Sequence, residues 1–378
     1  MYNINVTFYF YSFTVGQMKK FFCKLTILLS VILTLCGASC SVNSGDFLDL
    51  YYFNTAIRIE SHDKTISNTT KEKLKSMFSS LQNEFDCKDT SSFTYAFNNA
   101  KKDQTFTLSS DGMTIIQKAK DSYVFSQNKF DPSIYPLVEL WQFAPTYPTL
   151  NFTVPDNQSI LSALDKLDFD SVSLDQTTKT VTKLNADVQL DFGGIVKGYS
   201  ADRAAEILIQ DGHLSGFVNV GGSSLNILSC KTLSIRHPRP TEKVASIITI
   251  NLGEKKNLSV STSGDYEKTY SSNGKTYCHI IDTKTGAPIN TNVASVTIIG
   301  VDGATADALT TAACTFNHDY NDVEKSDLIK FLRKILTNYN DCSVYAVYDN
   351  GNVHQLITNE KKDENFTLLD NNYDIVNI

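Results

Sequence analysis

The run Asp191-Phe192-Gly193-Gly194-Ile195-Val196-Lys197-Gly198-Tyr199-Ser200-Ala201-Asp202-Arg203 constrains the fold more than any other stretch of the chain. The apolar residues at 188–192 read as a strand ending on a carboxylate. Glycines and a lysine follow, and a helix then spans about 201–210 with Ser200 as its N-cap. Strand, glycine turn and helix in that order call for an architecture of packed sheet and helix layers. Glycines let main chain approach a ligand, and a helix N-terminus offers free N–H groups to anionic oxygens. The spacing matches neither G-x-G-x-x-G nor G-x-x-x-x-G-K-[ST], so the Rossmann and P-loop readings fail. An anion site and a turn with purely structural glycines both stand at this level.

Apolar spacing places a strand over 48–60 and helices over 71–85, 111–126 and 156–167. On the second of these helices Ile115, Ile116, Ala119, Tyr123 and Val124 share a side. Residues 171–174 and 180–184 read as a hairpin, and 217–220, 225–228, 233–236, 247–252 and 293–300 as further strands. Helices are expected at 305–316 and 327–336. A closing hairpin, 343–348 with 353–357, turns at Asn350-Gly351. Strands and helices mix without strict alternation, so the class is α/β in the mixed α+β sense. One domain is expected over 46–358, with 359–378 a polar, loosely ordered end.

The first 40 residues are set apart. Met18-Lys19-Lys20 and the apolar run 25–35 have the layout of a secretory signal, too short for a membrane span. The residues before Met18 lie on the wrong side of the basic start, which makes Met18 the expected initiator. Small residues ahead of Cys40 mark a lipoprotein processing site, with Cys36 second and a plain cleaved signal as the alternative. Two acyl chains would anchor the domain stably at the outer membrane surface. Beyond the signal Cys87, Cys230, Cys278, Cys314 and Cys342 form no C-x-x-C pair, so neither zinc nor a disulfide framework is indicated. A net charge of -7 excludes nucleic acid as the main partner.

Three further segments carry residues that a packed core does not require. Asp307, Thr310 and Thr311 stand at i, i+3 and i+4 of a helix, a hard-oxygen set suited to Mg²⁺, unless they serve only as caps. His279 and Asp282 sit at an apolar strand end, where a histidine near its ordinary pKa can take a proton from a hydroxyl. The alternative is a satisfied core or turn histidine. Residues 130–141 combine Phe130, Asp131, prolines and Trp141, the only tryptophan, in a rigid loop that walls a flat ring or packs Trp141 into the core.

In order along the chain these segments resemble the ApbE family of FAD:protein FMN transferases. The family's Leu-Asp-x-Gly-x-x-x-Lys-Gly-Tyr-x-x-Asp is matched at 190–202 and its Asn-x-Gly-Gly at 219–222. Ser-Gly-Asp-Tyr-Glu is matched at 263–267, His-Ile-Ile-Asp-x-x-Thr-Gly at 279–286, and Ala-Asp-Ala-Leu-x-Thr at 306–311. The resemblance covers about 51–351. It implies a T-fold-like protein with a flavin-binding cleft that moves FMN from FAD to a Thr or Ser hydroxyl of an acceptor redox protein and releases AMP.

Carried over residue by residue, Asp191, Lys197, Phe130, Asp131 and Ile281 would contact FAD. Mg²⁺ would be held by the Gly194 carbonyl, Asp307 and Thr311, with Thr310 as a further ligand, offsetting repulsion between an acidic protein and a diphosphate. His279 would be the general base. Phe53 stands where the family's first strand often has a flavin-contacting Met. The same residues serve hydrolysis of FAD to FMN and AMP, and a non-catalytic flavin-binding lipoprotein is the other alternative. Lipid anchor and acceptor would meet on the extracytoplasmic face.

Overall fold

The computed structural model describes residues 45–143, 152–241 and 244–378. The expected export segment, with Met18, Cys36 and Cys40, lies outside the described residues. Where one long strand was expected, the chain forms a hairpin of β1 (Asp46–Tyr52) and β2 (Thr55–Ser61). The turn residues Phe53 and Asn54 take left-handed φ of 52° and 54°. That twist lets a two-residue loop reverse the chain, and without a glycine the sequence does not announce it.

Next come α1 (Asn68–Phe85), α2 (Phe93–Asn98), β3 (Thr105–Thr107) and α3 (Ser110–Phe125). Ser67 caps α1 and Ser109 caps α3, each hydroxyl accepting an N–H of the first turn. On α3 Ile115, Ile116, Ala119 and Tyr123 are buried but Val124 is 70% exposed. One residue further on lies about 100° round the helix, which turns Val124 to solvent.

α4 (Tyr135–Leu140), α5 (Asn157–Leu164), β4 (Val172–Asp175) and β5 (Thr180–Lys183) follow. The expected strand at 188–192 does not form and contributes one isolated bridge, Ile134 to Gln189. α6 (Val196–Gln210) starts more than a turn earlier than expected, so Ser200 is not its cap. Ser200 is buried inside the helix, and its hydroxyl donates back to the Lys197 carbonyl.

β6 (Gly216–Val220), β7 (Ser224–Ser229), β8 (Thr232–Arg236), β9 (Ser246–Asn251) and β10 (Lys256–Gly264) come next. β11 (Thr269–Ser272) and β12 (Lys275–Cys278) pair as a hairpin. β13 (Val293–Ile299), α7 (Gly303–Ala313), α8 (Asp327–Asn338), β14 (Ser343–Asp349) and β15 (His354–Thr358) precede β16 (Phe366–Leu368) and β17 (Asp374–Asn377).

Among the described residues nine strands form one sheet in the order β1-β2-β6-β7-β10-β13-β14-β15-β17. Every neighbour is antiparallel except β15 with β17. Both faces of the centre are covered, and all of β13 is buried. Its side chains alternate by period two from Ser295 onward, and an irregularity between Val293 and Ser295 shifts the phase so that Ala294 falls on the same side as Ile299. Val296 and Ile298 join Ala308, Leu309 and Leu328 under the helices. Ala294 and Ile299 join Ile248, Ile250 and Phe366 under the small sheet β16-β9-β8. The class is mixed α+β.

The polar end differs from expectation. Residues 359–378 are not loose: β16 pairs with β9 and β17 with β15, and Phe366, Leu368 and Tyr373 are buried. The local pattern did not reveal this, because the two strands are short and their partners lie far away in sequence.

Candidate active site

The site begins where α6 and α7 cross. A Cβ on Gly198 would stand 1.9 Å from the Gly303 carbonyl oxygen, and one on Gly303 would stand 2.3 Å from that of Gly198. Only glycines permit this approach. Each helix then caps the other. The Gly198 N–H donates to Asp307 Oδ2 at 3.1 Å, and the Gly303 N–H donates to Asp202 Oδ2 at 2.6 Å. Both are first-turn N–H groups that their own helix cannot satisfy. Asp202 is held in turn by Ser259 at 2.6 Å and Asn226 at 2.9 Å. α7 itself starts at an Asp302 cap, so the capping alternative for Thr310 and Thr311 does not hold.

Against this crossing lies β10, a central strand with hydroxyl side chains. Ser263 Oγ is 3.0 Å from Thr310 Oγ1 and 3.2 Å from Thr311 Oγ1, and both threonine hydroxyls donate back to the Asp307 carbonyl. A Cβ on Gly194 would lie 3.6 Å from Thr311 Oγ1. One carboxylate, hydroxyls and nearby main chain therefore converge. Among the described residues no three His, Cys, Asp or Glu side chains cluster as a metal site. A hard-oxygen set with a single carboxylate still fits Mg²⁺, which keeps waters and phosphate oxygens as its other ligands.

In front of this set opens a cavity of about 310 Å³. Phe53, Phe130, Asp131, Asp191, Gly194, Lys197, His279, Ile281, Asp307 and Thr311 all line it. Thr310 does not; it is fully buried behind Thr311. Trp141 is also off the wall. It is 2% exposed, donates to the Gly286 carbonyl at 2.7 Å and stacks with Phe152 in a satellite core. Asp282 pairs with Lys129 at 3.0 Å rather than with His279.

Nδ1 is buried without a hydrogen bond in His62, His279 and His354, and of the six histidines only His279 lines the cavity. His62, His213, His237, His318 and His354 each contact a carboxylate, hydroxyl or amide oxygen. His279 faces the cavity, and its Nδ1 is buried without a hydrogen-bond partner. Desolvation and the charges of Lys268 and Lys197 bring its pKa down to about 3, so the ring is neutral at physiological pH. Burial raises Asp131 to about 6 although it accepts two bonds from Ser133. Burial also raises Asp191, whose Oδ1 accepts from the Gly193 N–H at 2.7 Å. Lys197 lies 3.5 Å from Asp307 Oδ2.

Several wall residues were not anticipated. Gln82 fixes the hairpin by accepting from the Phe53 N–H at 2.8 Å. Ser263 and Lys268 belong to or directly follow the Ser-Gly-Asp-Tyr-Glu run. A lone lysine closing a hydroxyl- and acid-rich segment was the one available signal for Lys268. Gln82 carried none, because its role depends on a hairpin that was read as one strand.

A model of the ApbE family matches residues 53–324. The FAD:protein FMN transferase of Klebsiella pneumoniae is 32% identical over 215 residues, which is 57% of this chain and 65% of that protein, just under two thirds of its length. The Haemophilus influenzae FAD:protein FMN transferase is 26% identical over 276 residues, 70% of this chain and 78% of that protein. Among solved structures, the Thermotoga maritima ApbE protein superposes with a TM-score of 0.69 at 28% identity, covering 81% of this chain and 94% of that one. The Vibrio cholerae flavin transferase ApbE gives 0.67 at 20% identity, over 86% and 96%, and bears on the fold alone.

Proposed function

The chain belongs to the ApbE family, and from that premise we propose that it is an FAD:protein FMN transferase acting on a Thr or Ser hydroxyl of a second protein. The observation that carries this reading is one cavity wall shared by His279, with its unpartnered Nδ1, and the Asp307–Thr311 oxygen set.

The acceptor oxygen attacks the FMN phosphorus of FAD. A P–O bond forms as the bond from that same phosphorus to the bridging oxygen breaks, and AMP leaves with the bridging oxygen. The hydroxyl proton passes to His279. A neutral imidazole is ready to accept it but is a weak base in its buried place beside the charges of Lys268 and Lys197. A bound diphosphate places negative charge against both lysines and raises that basicity. Phe53, Phe130 and Ile281 supply apolar wall for the isoalloxazine ring, with Asp131 and Asp191 at its polar edge. Mg²⁺, held by Asp307, Thr311 and the Gly194 carbonyl, would neutralise charge on the diphosphate and the departing AMP. Export and lipidation at Cys40, or at Cys36, would place the enzyme beside an extracytoplasmic redox acceptor.

Intact-mass spectrometry of an acceptor incubated with FAD and Mg²⁺ tests this. The acceptor should gain one FMN, EDTA should abolish the gain, and Asp307→Asn, which can still cap Gly198, should lose most of it. Undiminished modification in EDTA would overturn the metal assignment. Release of FMN and AMP with the acceptor unmodified would favour hydrolysis.

A further inference from the structure

The segment after β10 is held from outside the cleft. Asp265 takes both guanidinium arms of Arg239 at 2.7 Å, Arg236 stands 5.3 Å over the Tyr266 ring, and Glu267 lies 3.8 Å from Arg236. The next residue, Lys268, has a φ of 31°, which reverses the chain into β11 and is uncommon for a residue with a side chain. Lys268 lines the cavity. The other two cavity lysines are engaged, Lys129 with Asp282 and Lys197 with the Gly193 carbonyl and Asp307. Lys268 makes no hydrogen bond or salt bridge among the described residues. Its charge nevertheless reaches Asp191, Glu267, Lys197 and His279. An exposed lysine with no direct ion pair, on a loop tied down by Arg236 and Arg239 and bordering a cleft for an anionic substrate, is placed to meet that anion.

We propose that Lys268 is a phosphate-binding residue of this cleft, gripping the phosphoryl group of the flavin substrate in concert with Lys197. The proposal rests on the flavin-transferase reading and adds a residue to it. The alternative is a cleft-mouth lysine that shapes the local field without touching substrate.

Binding in EDTA separates the two, using the whole protein with FAD, FMN and riboflavin and reading quenching of flavin fluorescence. Lys268→Met should weaken FAD and FMN by roughly tenfold or more, the size of a lost charge-assisted bond, and leave riboflavin within about twofold. Lys268→Arg should restore most of the phosphate-dependent affinity. Lys268→Asn, at ease with left-handed backbone, repeats the test should methionine disturb the loop. Equal losses for all three flavins, or none, would overturn the assignment. A wild-type protein that shows the phosphate effect but modifies no acceptor would overturn the transferase reading and leave Lys268 assigned. Normal transfer with unaltered affinities in the variants would overturn Lys268 alone. A wild type that binds none of the three would overturn both.

Discussion

Asp131 is 7% exposed and has a pKa near 6 against an ordinary 3.8, with burial the leading cause. The folded chain therefore holds this proton more tightly than the unfolded chain does. Stability falls as pH rises from about 4 to about 6 and is flat beyond, a loss on the order of 3 kcal/mol from this group. Asn can still accept from the Ser133 N–H and hydroxyl. Asp131→Asn should accordingly raise the melting temperature at pH 7.5 and give little gain at pH 4. An equal gain at both would refute burial as the cause. His279 shifts the other way. In the free protein its C2–H resonance should stay in the neutral position from pH 8 to 5, and FAD should bring its titration into that range. His279→Gln should bind FAD and fail to transfer FMN.

Two helices and one strand assemble the site. Gly198→Ala would force a Cβ to 1.9 Å from main chain on α7, where no flexible side chain can yield. The helices must part, which should destabilise by about 3 kcal/mol or more in a denaturant titration. Because Asp307 caps α6, the same shift should cut FMN transfer even at temperatures where the variant is folded. β10 shows what hydrophobic pattern misses. Ser259 and Ser263 alternate toward α6 and α7, so a buried central strand is polar on its working face. The chemistry needed there removed the apolar alternation that would have identified it.

For the molecule as a whole, the C-terminal end closes the sheet. β17 extends the nine-strand sheet beyond β15, and Phe366 and Leu368 seal the core between large and small sheets. A chain ending at Thr358 loses those side chains and leaves two strands with new open edges. The expected cost is on the order of 5 kcal/mol, with a lowered melting temperature and increased aggregation, read by circular dichroism and light scattering. Unchanged melting would mean that Phe366, Leu368 and Tyr373 add nothing to the stability of the core.

By itself the sequence determined which residue types could do chemistry and which local elements form. Apolar spacing and the Asn350-Gly351 turn act over a few residues, so α1, α3, α8 and the closing hairpin were legible within a residue or three of their ends. The linked motifs also named Asp191, Lys197, Glu267, His279 and Asp307 on the cavity wall, but not Asp86, Cys87, Lys129 or Lys268. Tertiary structure alone decided the rest. Mutual capping by Asp202 and Asp307, the retreat of Thr310 behind Thr311, the isolation of His279 from Asp282 and the turn of Lys268 into the cleft all depend on partners far apart in the chain. Such pairings arise from packing two helices against a sheet, and packing carries no signature in local spacing.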